Sequence, residues 1–252
     1  MIAPVLEVLQ RAGAARGLSV SGVQRQAGIG YAQASDELAR LELLGAVVSW
    51  RDAEDVKRWA PPASAEVSPC GRYRYRLARR WGPGAHALWI MFNPSTADAL
   101  EDDPTIRRCR GFSERWGLGA LEVVNLFAWR ATDPKEIARM APDRWSLAPH
   151  LAWRQAIGPE NDRAWREALD DRPELVVVAW GAFPLARDAV ARHLVPDREI
   201  GPGLVQGTGL LHGRELRAVH VTSAGDPGHP LYVPNGPALT WDPSAVTRRP
   251  WR

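Results

Sequence analysis

Ala87-Leu88-Trp89-Ile90-Met91-Phe92 is an unbroken apolar run that stops at Asn93-Pro94-Ser95. A half-exposed strand would alternate polar and apolar residues, so a continuous run predicts a strand covered on both faces. The pattern recurs downstream. Leu121-Glu122-Val123-Val124 ends at Asn125, Leu175-Val176-Val177-Val178-Ala179-Trp180 closes at Gly181, and His220-Val221-Thr222 leads into Gly228-His229-Pro230. Helical stretches fall between these runs: Ile106 to Trp116, Asp162 to Leu169, and a segment beginning at Pro184. Tyr73 to Arg80 alternates and adds a further strand. Buried runs alternating with helices predict an α/β fold over residues 73–252, a three-layer α/β/α domain with a parallel-rich central sheet. Ligands of such sheets bind beyond the carboxyl ends of the strands. Asn93, Asn125 and His229 all fall there, and this convergence is the main functional signal.

Residues 1–62 read differently. Val5, Leu6, Val8 and Leu9 form an apolar stripe at helical spacing, with Gly17 as the stop. Ser19 or Ser21 caps a second helix through Ala27, closed by Gly28. Ala34, Leu38, Leu41 and Leu44 make the buried face of a third helix ending at Gly45. Ala46 to Trp50 and Val56 to Trp59 then read as a strand pair about a polar turn. Three short helices followed by a hairpin resemble a small winged helix-turn-helix domain, which implies a third helix lying in the major groove of DNA. Tyr31, Gln33, Ser35 and Arg40 offer little positive charge on that helix, so a protein-binding role stands beside the DNA-binding one. Pro61-Pro62-Ala63-Ser64-Ala65 opens an expected linker over residues 63–72. The tail with Arg248, Arg249 and Arg252 is expected to be loosely ordered.

Composition narrows the classes. The 252 residues carry a net charge of only +3, and Lys57 and Lys135 are the only lysines. Arginine suits bidentate phosphate contacts, but the same bias follows from a GC-rich genome. Cys70 and Cys109 are too few for a disulfide scaffold or a four-thiolate zinc site. The six histidines show no metal-ligand spacing, so neither a metal nor a cofactor is expected. No apolar run reaches the eighteen or so residues of a membrane span, and Met1-Ile2-Ala3-Pro4 does not begin a secretory signal. A cytoplasmic protein is expected, with its oligomeric state open.

The stretch from Tyr73 to Pro237 resembles the bacterial family known as domain of unknown function 1643. The residues carrying the resemblance are Met91 to Asp98, Asp102 to Arg108, Val124 to Pro134, Gly158 to Asp162, and Gly228-His229-Pro230-Leu231-Tyr232. The same domain also resembles the uracil-DNA glycosylase superfamily. Phe92-Asn93-Pro94-Ser95 looks like its first motif, Val124-Asn125 like the strand-end Asn that reads the Watson–Crick edge, and His229-Pro230 like its second motif. That resemblance implies Asn93 and His229 as catalytic residues, with Asp98 and Asp103 as water activators or sugar contacts. Asp98, Asp102 and Asp103 read equally well as a solvated loop capping the helix near Thr105. It further implies a base pocket of Phe92, Ser95, Asn125 and Trp180, and DNA contacts from Arg107, Arg130, Leu231 and Tyr232. Arg107, Arg108 and Arg110 read alternatively as the wet face of their helix, and Asn161 as the cap of the next one.

Breaking an N-glycosidic bond puts negative charge on the departing base, which hydrogen bonds from His229 and Asn125 would stabilise. Strict uracil enzymes carry a Tyr after the motif-one Pro, blocking the pyrimidine 5-position; here that residue is Ser95. The resemblance therefore implies a monofunctional DNA glycosylase acting on a flipped 5-substituted pyrimidine, such as glucosylated hydroxymethylcytosine in phage DNA, and a role in antiphage defence. The alternatives are a non-catalytic nucleobase- or DNA-binding regulator using the same pocket, and hydrolysis of a free nucleoside.

Overall fold

A computed structural model describes residues 2–140, 154–194, 199–201, 204–205 and 208–244. The apolar stripe of the first helix, α1 (Ile2–Ala12), buries Val5, Val8 and Leu9. The helix stops at Gly13, which takes φ 80°, rather than at Gly17 as the sequence suggested. Gly17 instead permits close packing, since a Cβ there would sit 2.4 Å from the Trp50 ring and 2.7 Å from the Trp59 carbonyl. Helix α2 (Val20–Ala27) begins at Ser19, whose hydroxyl accepts from the Gly22 amide at 3.2 Å, and ends at Gly28 in the left-handed region. Helix α3 (Tyr31–Leu43) buries Ala34, Leu38 and Leu41. Strands β1 (Val48–Arg51) and β2 (Lys57–Ala60) form an antiparallel pair. Glu42 of α3 anchors β2 by accepting from Lys57 Nζ at 3.1 Å and Trp59 Nε1 at 3.0 Å.

The remaining elements are β3 (Ala63–Val67), β4 (Arg74–Arg80), β5 (His86–Met91), α4 (Pro104–Arg115), β6 (Ala120–Asn125), α5 (Lys135–Met140), α6 (Asn161–Asp170), β7 (Leu175–Val178), α7 (Pro184–Leu194), β8 (Glu199–Gly201), β9 (Leu204–Val205), β10 (Leu216–Ala218) and β11 (Leu239–Thr240). Seven strands make one sheet in the order β11-β10-β7-β5-β6-β4-β3. The inner four, β10, β7, β5 and β6, are parallel, while β11, β4 and β3 are antiparallel to their neighbours. The sheet is therefore mixed, with its parallel pairs confined to the centre. Successive side chains of β5 point to opposite faces. Leu88 and Ile90 pack with Trp165, Ala186 and Val190 of α6 and α7, whereas Ala87, Trp89 and Met91 pack with Ile106, Cys109 and Phe112 of α4. Helices thus cover both faces, and β5 is buried throughout.

Three expectations are corrected. Residues 63–67 are not linker but β3, an edge strand paired with β4. The last inner strand is Leu216–Ala218, not His220–Thr222, because Leu216 and Ala218 fill the core while His220 is exposed and Val221 only bridges Pro227. In β4, the alternation of residue types does not produce alternating exposure: Arg74, Arg79 and Arg80 are buried too. The arginines Arg248, Arg249 and Arg252 lie outside the described residues. No helix among the described residues is long and apolar enough to cross a membrane.

Arg80 joins the N-terminal helices to the sheet. Its guanidinium donates to the carbonyls of Ala14, Ala15, Gly82 and Gly84, and lies 3.6 Å over the Trp50 ring. Burial pulls its pKa down to about 10, yet the group remains cationic at neutral pH. Replacing it strands several buried carbonyls, so Arg80→Met should lower unfolding free energy by about 2–4 kcal/mol in urea titrations. A loss below about 0.5 kcal/mol, the range of ordinary surface changes, would contradict this role.

A second expectation concerns His86, at the start of β5. Burial lowers its pKa from 6.5 to about 4, and burial drives His193 well below the ordinary value. Both are therefore neutral when folded and take up a proton more readily when unfolded. Stability is complete above pH 6.5 and is lost as pH falls through the window towards 4, by about 3 kcal/mol from His86 alone. Urea midpoints measured from pH 7 to 4.5 should fall steadily; His86→Leu, if it folds, should flatten part of the slope.

Candidate functional site

From β5 the chain passes through α4 to β6 on one side, then crosses to β7 on the other. Connections leave in opposite directions there, and ligands of such sheets bind beyond the carboxyl ends of the strands at that switch point. Phe92-Asn93 follows the first strand and Gly181-Ala182-Phe183 follows the second. The Phe92 and Phe183 rings stack with centroids 4.6 Å apart, and Phe127 meets Phe92 edge-on at 5.2 Å. Gly181 takes φ 79°, and a Cβ there would lie 3.5 Å from both His229 Cβ and the Phe183 ring. The loop after β7 thereby packs against His229.

Asn125 ends β6 beside Met91 of β5 and is 1% exposed. The two-residue strand period puts its side chain on the face of Leu121 and Val123, the side covered by α4. Its backbone carbonyl accepts from Asn161 Nδ2 and Trp165 Nε1, both at 2.9 Å. Its side-chain Oδ1 and Nδ2 are both buried and both without a partner among the described residues. A primary amide presents an acceptor and a two-proton donor, and burying such groups unpaired costs about 1–3 kcal/mol each. Few native groups carry that cost without a ligand, water or strain to explain it.

The half-buried Asn93 spends its Nδ2 protons on the carbonyls of Pro94, at 3.0 Å, and Ala131, at 2.8 Å. Its Oδ1 makes no hydrogen bond among the described residues, so the amide is oriented with an acceptor to spare. His229 lies at the start of a single 3₁₀ turn, where Leu231 N donates to Nδ1 at 3.3 Å. That bond requires a lone pair on Nδ1 and leaves the proton on Nε2. Burial lowers the His229 pKa, opposed by the Asp103 charge, which favours the neutral ring with an Nε2–H donor. Gly228 allows the turn to close, since a Cβ would stand 2.8 Å from His220 Cβ.

Arg108, read from sequence as a phosphate contact or a solvated helix face, instead clamps this turn from α4. It donates to the carbonyls of Pro230 and Val233 and to Asn235 Oδ1. Asn161 does not cap α6; Glu160 occupies that position, and the Asn161 amide ties the helix to the end of β6. Asp98 Oδ1 accepts from the Leu100 and Glu101 amides, which hold its carboxyl below the usual range, and Asp103 Oδ1 caps α4 through Ile106 N at 2.8 Å. Each carboxylate thus spends one oxygen on the loop. Trp180 shares the α6/α7 face with Val176 and Val178, fully buried and edge-on to Trp241, on the side of the sheet opposite Asn125. Its place is in the core rather than in a pocket wall beside Asn125, although its Nε1 has no partner among the described residues.

Ser95 is half-buried, Arg107 is exposed and reaches back to the Asp102 carbonyl, and Arg130 donates to Gly71 O at 3.3 Å. Leu231 and Tyr232 project beside His229, 37% and 82% exposed. Asn93 and Asn125 lie at the ends of β5 and β6, whereas His229 begins a 3₁₀ turn well past β10, and the place of Phe183 at this end of the sheet was not legible in the sequence. No group of three His, Cys, Asp or Glu among the described residues could hold a metal. Residues 74–231 match a family described as Protein of unknown function (DUF1643). No curated protein and no solved structure matches the chain.

If Asn125 is kept for a ligand, its removal should stabilise the free protein. Asn125→Leu, similar in volume and apolar, should raise unfolding free energy by about 1–2 kcal/mol in urea titrations. Destabilisation by that amount would mean that the amide already has partners.

Proposed function

The chain belongs to the DUF1643 family, and we propose that it is a monofunctional DNA glycosylase that excises a modified, 5-substituted pyrimidine and leaves an abasic site. The observation that carries this reading is the buried, doubly unpartnered Asn125 amide at the carboxyl edge of the sheet. An amide reads a cytosine edge by donating to the ring N3 while accepting from the exocyclic N4 amine. The neighbouring groups suit bond cleavage. As the bond between the sugar and the base nitrogen breaks, the electron pair leaves with the base, and Nε2–H of His229 stabilises the resulting charge. Asn93 Oδ1 orients the water that adds to the sugar carbon, with its proton passing to solvent. Leu231 and Tyr232 fill the gap left in the duplex. Ser95 leaves room for a 5-substituent, so glucosylated hydroxymethylcytosine of phage DNA is the proposed base and antiphage defence the proposed role. In the same reading, the three helices and hairpin at the N-terminus are a winged helix-turn-helix module that holds the DNA, and the sheet domain is a uracil-DNA glycosylase-like fold.

One observation favours a second reading, a nucleobase-binding regulator without catalysis. Asp98 and Asp103 each spend an oxygen on backbone amides, and Asn93 is no base. The two readings separate in one experiment. Protein is incubated with plain DNA, uracil-containing DNA and phage DNA carrying glucosylated hydroxymethylcytosine, and abasic sites are then cut with hot alkali. The glycosylase reading expects cleavage of the modified DNA alone, reduced about 10²- to 10³-fold by His229→Ala, the usual cost of a charge-stabilising donor. Tight binding of the modified DNA with every strand intact would favour the regulator.

A further inference from the structure

Three of the four arginines of β4 have ample partners. Arg76 pairs with Glu122 and Asp171, Arg79 with Asp102, and Arg80 with four carbonyls. Arg74 does not. It is 2% exposed and, among the described residues, donates only from Nη1 to Ala97 O at 2.7 Å and has a buried Nε with no partner. Arg130, in the loop after β6, repeats the arrangement: Nη1 reaches Gly71 O at 3.3 Å and the buried Nε is unpaired. In both, the edge formed by Nε and Nη2 makes no hydrogen bond or ion pair among the described residues. That edge presents two parallel N–H donors, the geometry that fits two oxygens of a phosphate.

The two side chains belong to the walls of the proposed site. Arg74 holds the Ala97 carbonyl in the loop that begins at Asn93. Arg130 lies next to Ala131, whose amide donates to Pro94 O and whose carbonyl accepts from Asn93. Asp103 is a common electrostatic neighbour of Arg74 and His229. Burial draws the Arg74 pKa down to about 10 even with Asp103 opposing it. A buried cation left without an ion pair is costly, and an anionic ligand removes that cost.

We infer that Arg74 and Arg130 form an anion site for one internal phosphodiester of the strand that carries the target nucleotide. Asp98 and Asp103 lie close to the pair. They disfavour a second negative charge, so a singly charged diester suits the site better than a doubly charged terminal phosphate. The inference rests on the glycosylase reading for the identity of the strand, but not for the site itself. It specifies a polymer as the substrate rather than a free nucleoside or nucleotide.

The test uses fluorescein-labelled DNA with one tetrahydrofuran abasic analogue, and the same DNA with neutral methylphosphonates flanking that position. Binding is followed by anisotropy at fixed salt. Wild type should bind the neutral version about tenfold more weakly, as for loss of a bidentate charged contact. Arg130→Met should bind both alike, and Arg74→Met likewise if circular dichroism shows it folded. Arg115→Met, from the exposed end of α4, should keep the tenfold preference. Equal binding of both DNAs by wild type, a preference retained in Arg130→Met, or no binding at all would overturn the site. If abasic sites form in the alkali assay but wild type binds both DNAs equally, the phosphodiester site falls and the glycosylase stands. If the preference is present and lost in Arg130→Met while no DNA yields abasic sites, the anion site stands and the glycosylase falls.

Discussion

Strand β5 is buried on both faces, and the layers on either side depend on it. Leu88 and Ile90 need the cover of α6 and α7, while Ala87, Trp89 and Met91 need that of α4. A strand so placed must be central, because an edge would leave backbone donors and acceptors open to solvent. It therefore pairs with β6 on one side and β7 on the other, both parallel. Parallel strands require crossover helices, and the connections change direction at β5, where ligands of such sheets bind. The apolar interior of the sheet has little room for polar chemistry, so chemistry is left to the strand ends.

At those ends, most polar groups are used to build the loops. Asn161 and Trp165 satisfy the last carbonyl of β6, Arg108 holds the turn after His229, and Asp98 and Asp103 shape the segment after β5. Against that background the Asn125 amide, the Asn93 carbonyl oxygen, and the free edges of Arg74 and Arg130 stand out as capacity that the fold itself does not consume. Stability would be better served by apolar residues at Asn125 and Arg74. Groups retained at a cost in folding free energy concentrate at functional or strained sites.

The tie between the N-terminal helices and the sheet follows the same logic of satisfied and unsatisfied groups. Arg80 completes the carbonyls of Ala14 and Ala15, Ser64 accepts from the Ala14 amide, and Trp50 lies under the guanidinium. The helices are thus docked on the sheet rather than tethered by a free linker.

Much of this architecture was legible in the order of residues. The runs around Trp89, Val123 and Val177 announced buried strands, Ser19 and Gly28 bounded α2, and the polar residues that interrupt the runs marked the strand ends. Local pattern sufficed there because burial and helix capping depend on near neighbours in the chain. It failed for β3, whose small residues look like linker until β4 pairs with them, and for β10, whose Leu216–Ala218 is too short to announce itself. It failed also for the roles of arginines: Arg74, Arg79, Arg80 and Arg108 are one residue type with four environments. The sequence by itself determined the α/β class, the helical order of the N-terminal unit, and the placement of Asn93 and Asn125 at strand ends. Only the tertiary structure decided which polar groups are spent and which are spare, because hydrogen-bond partners come from segments far apart in the chain, and no local pattern encodes their meeting.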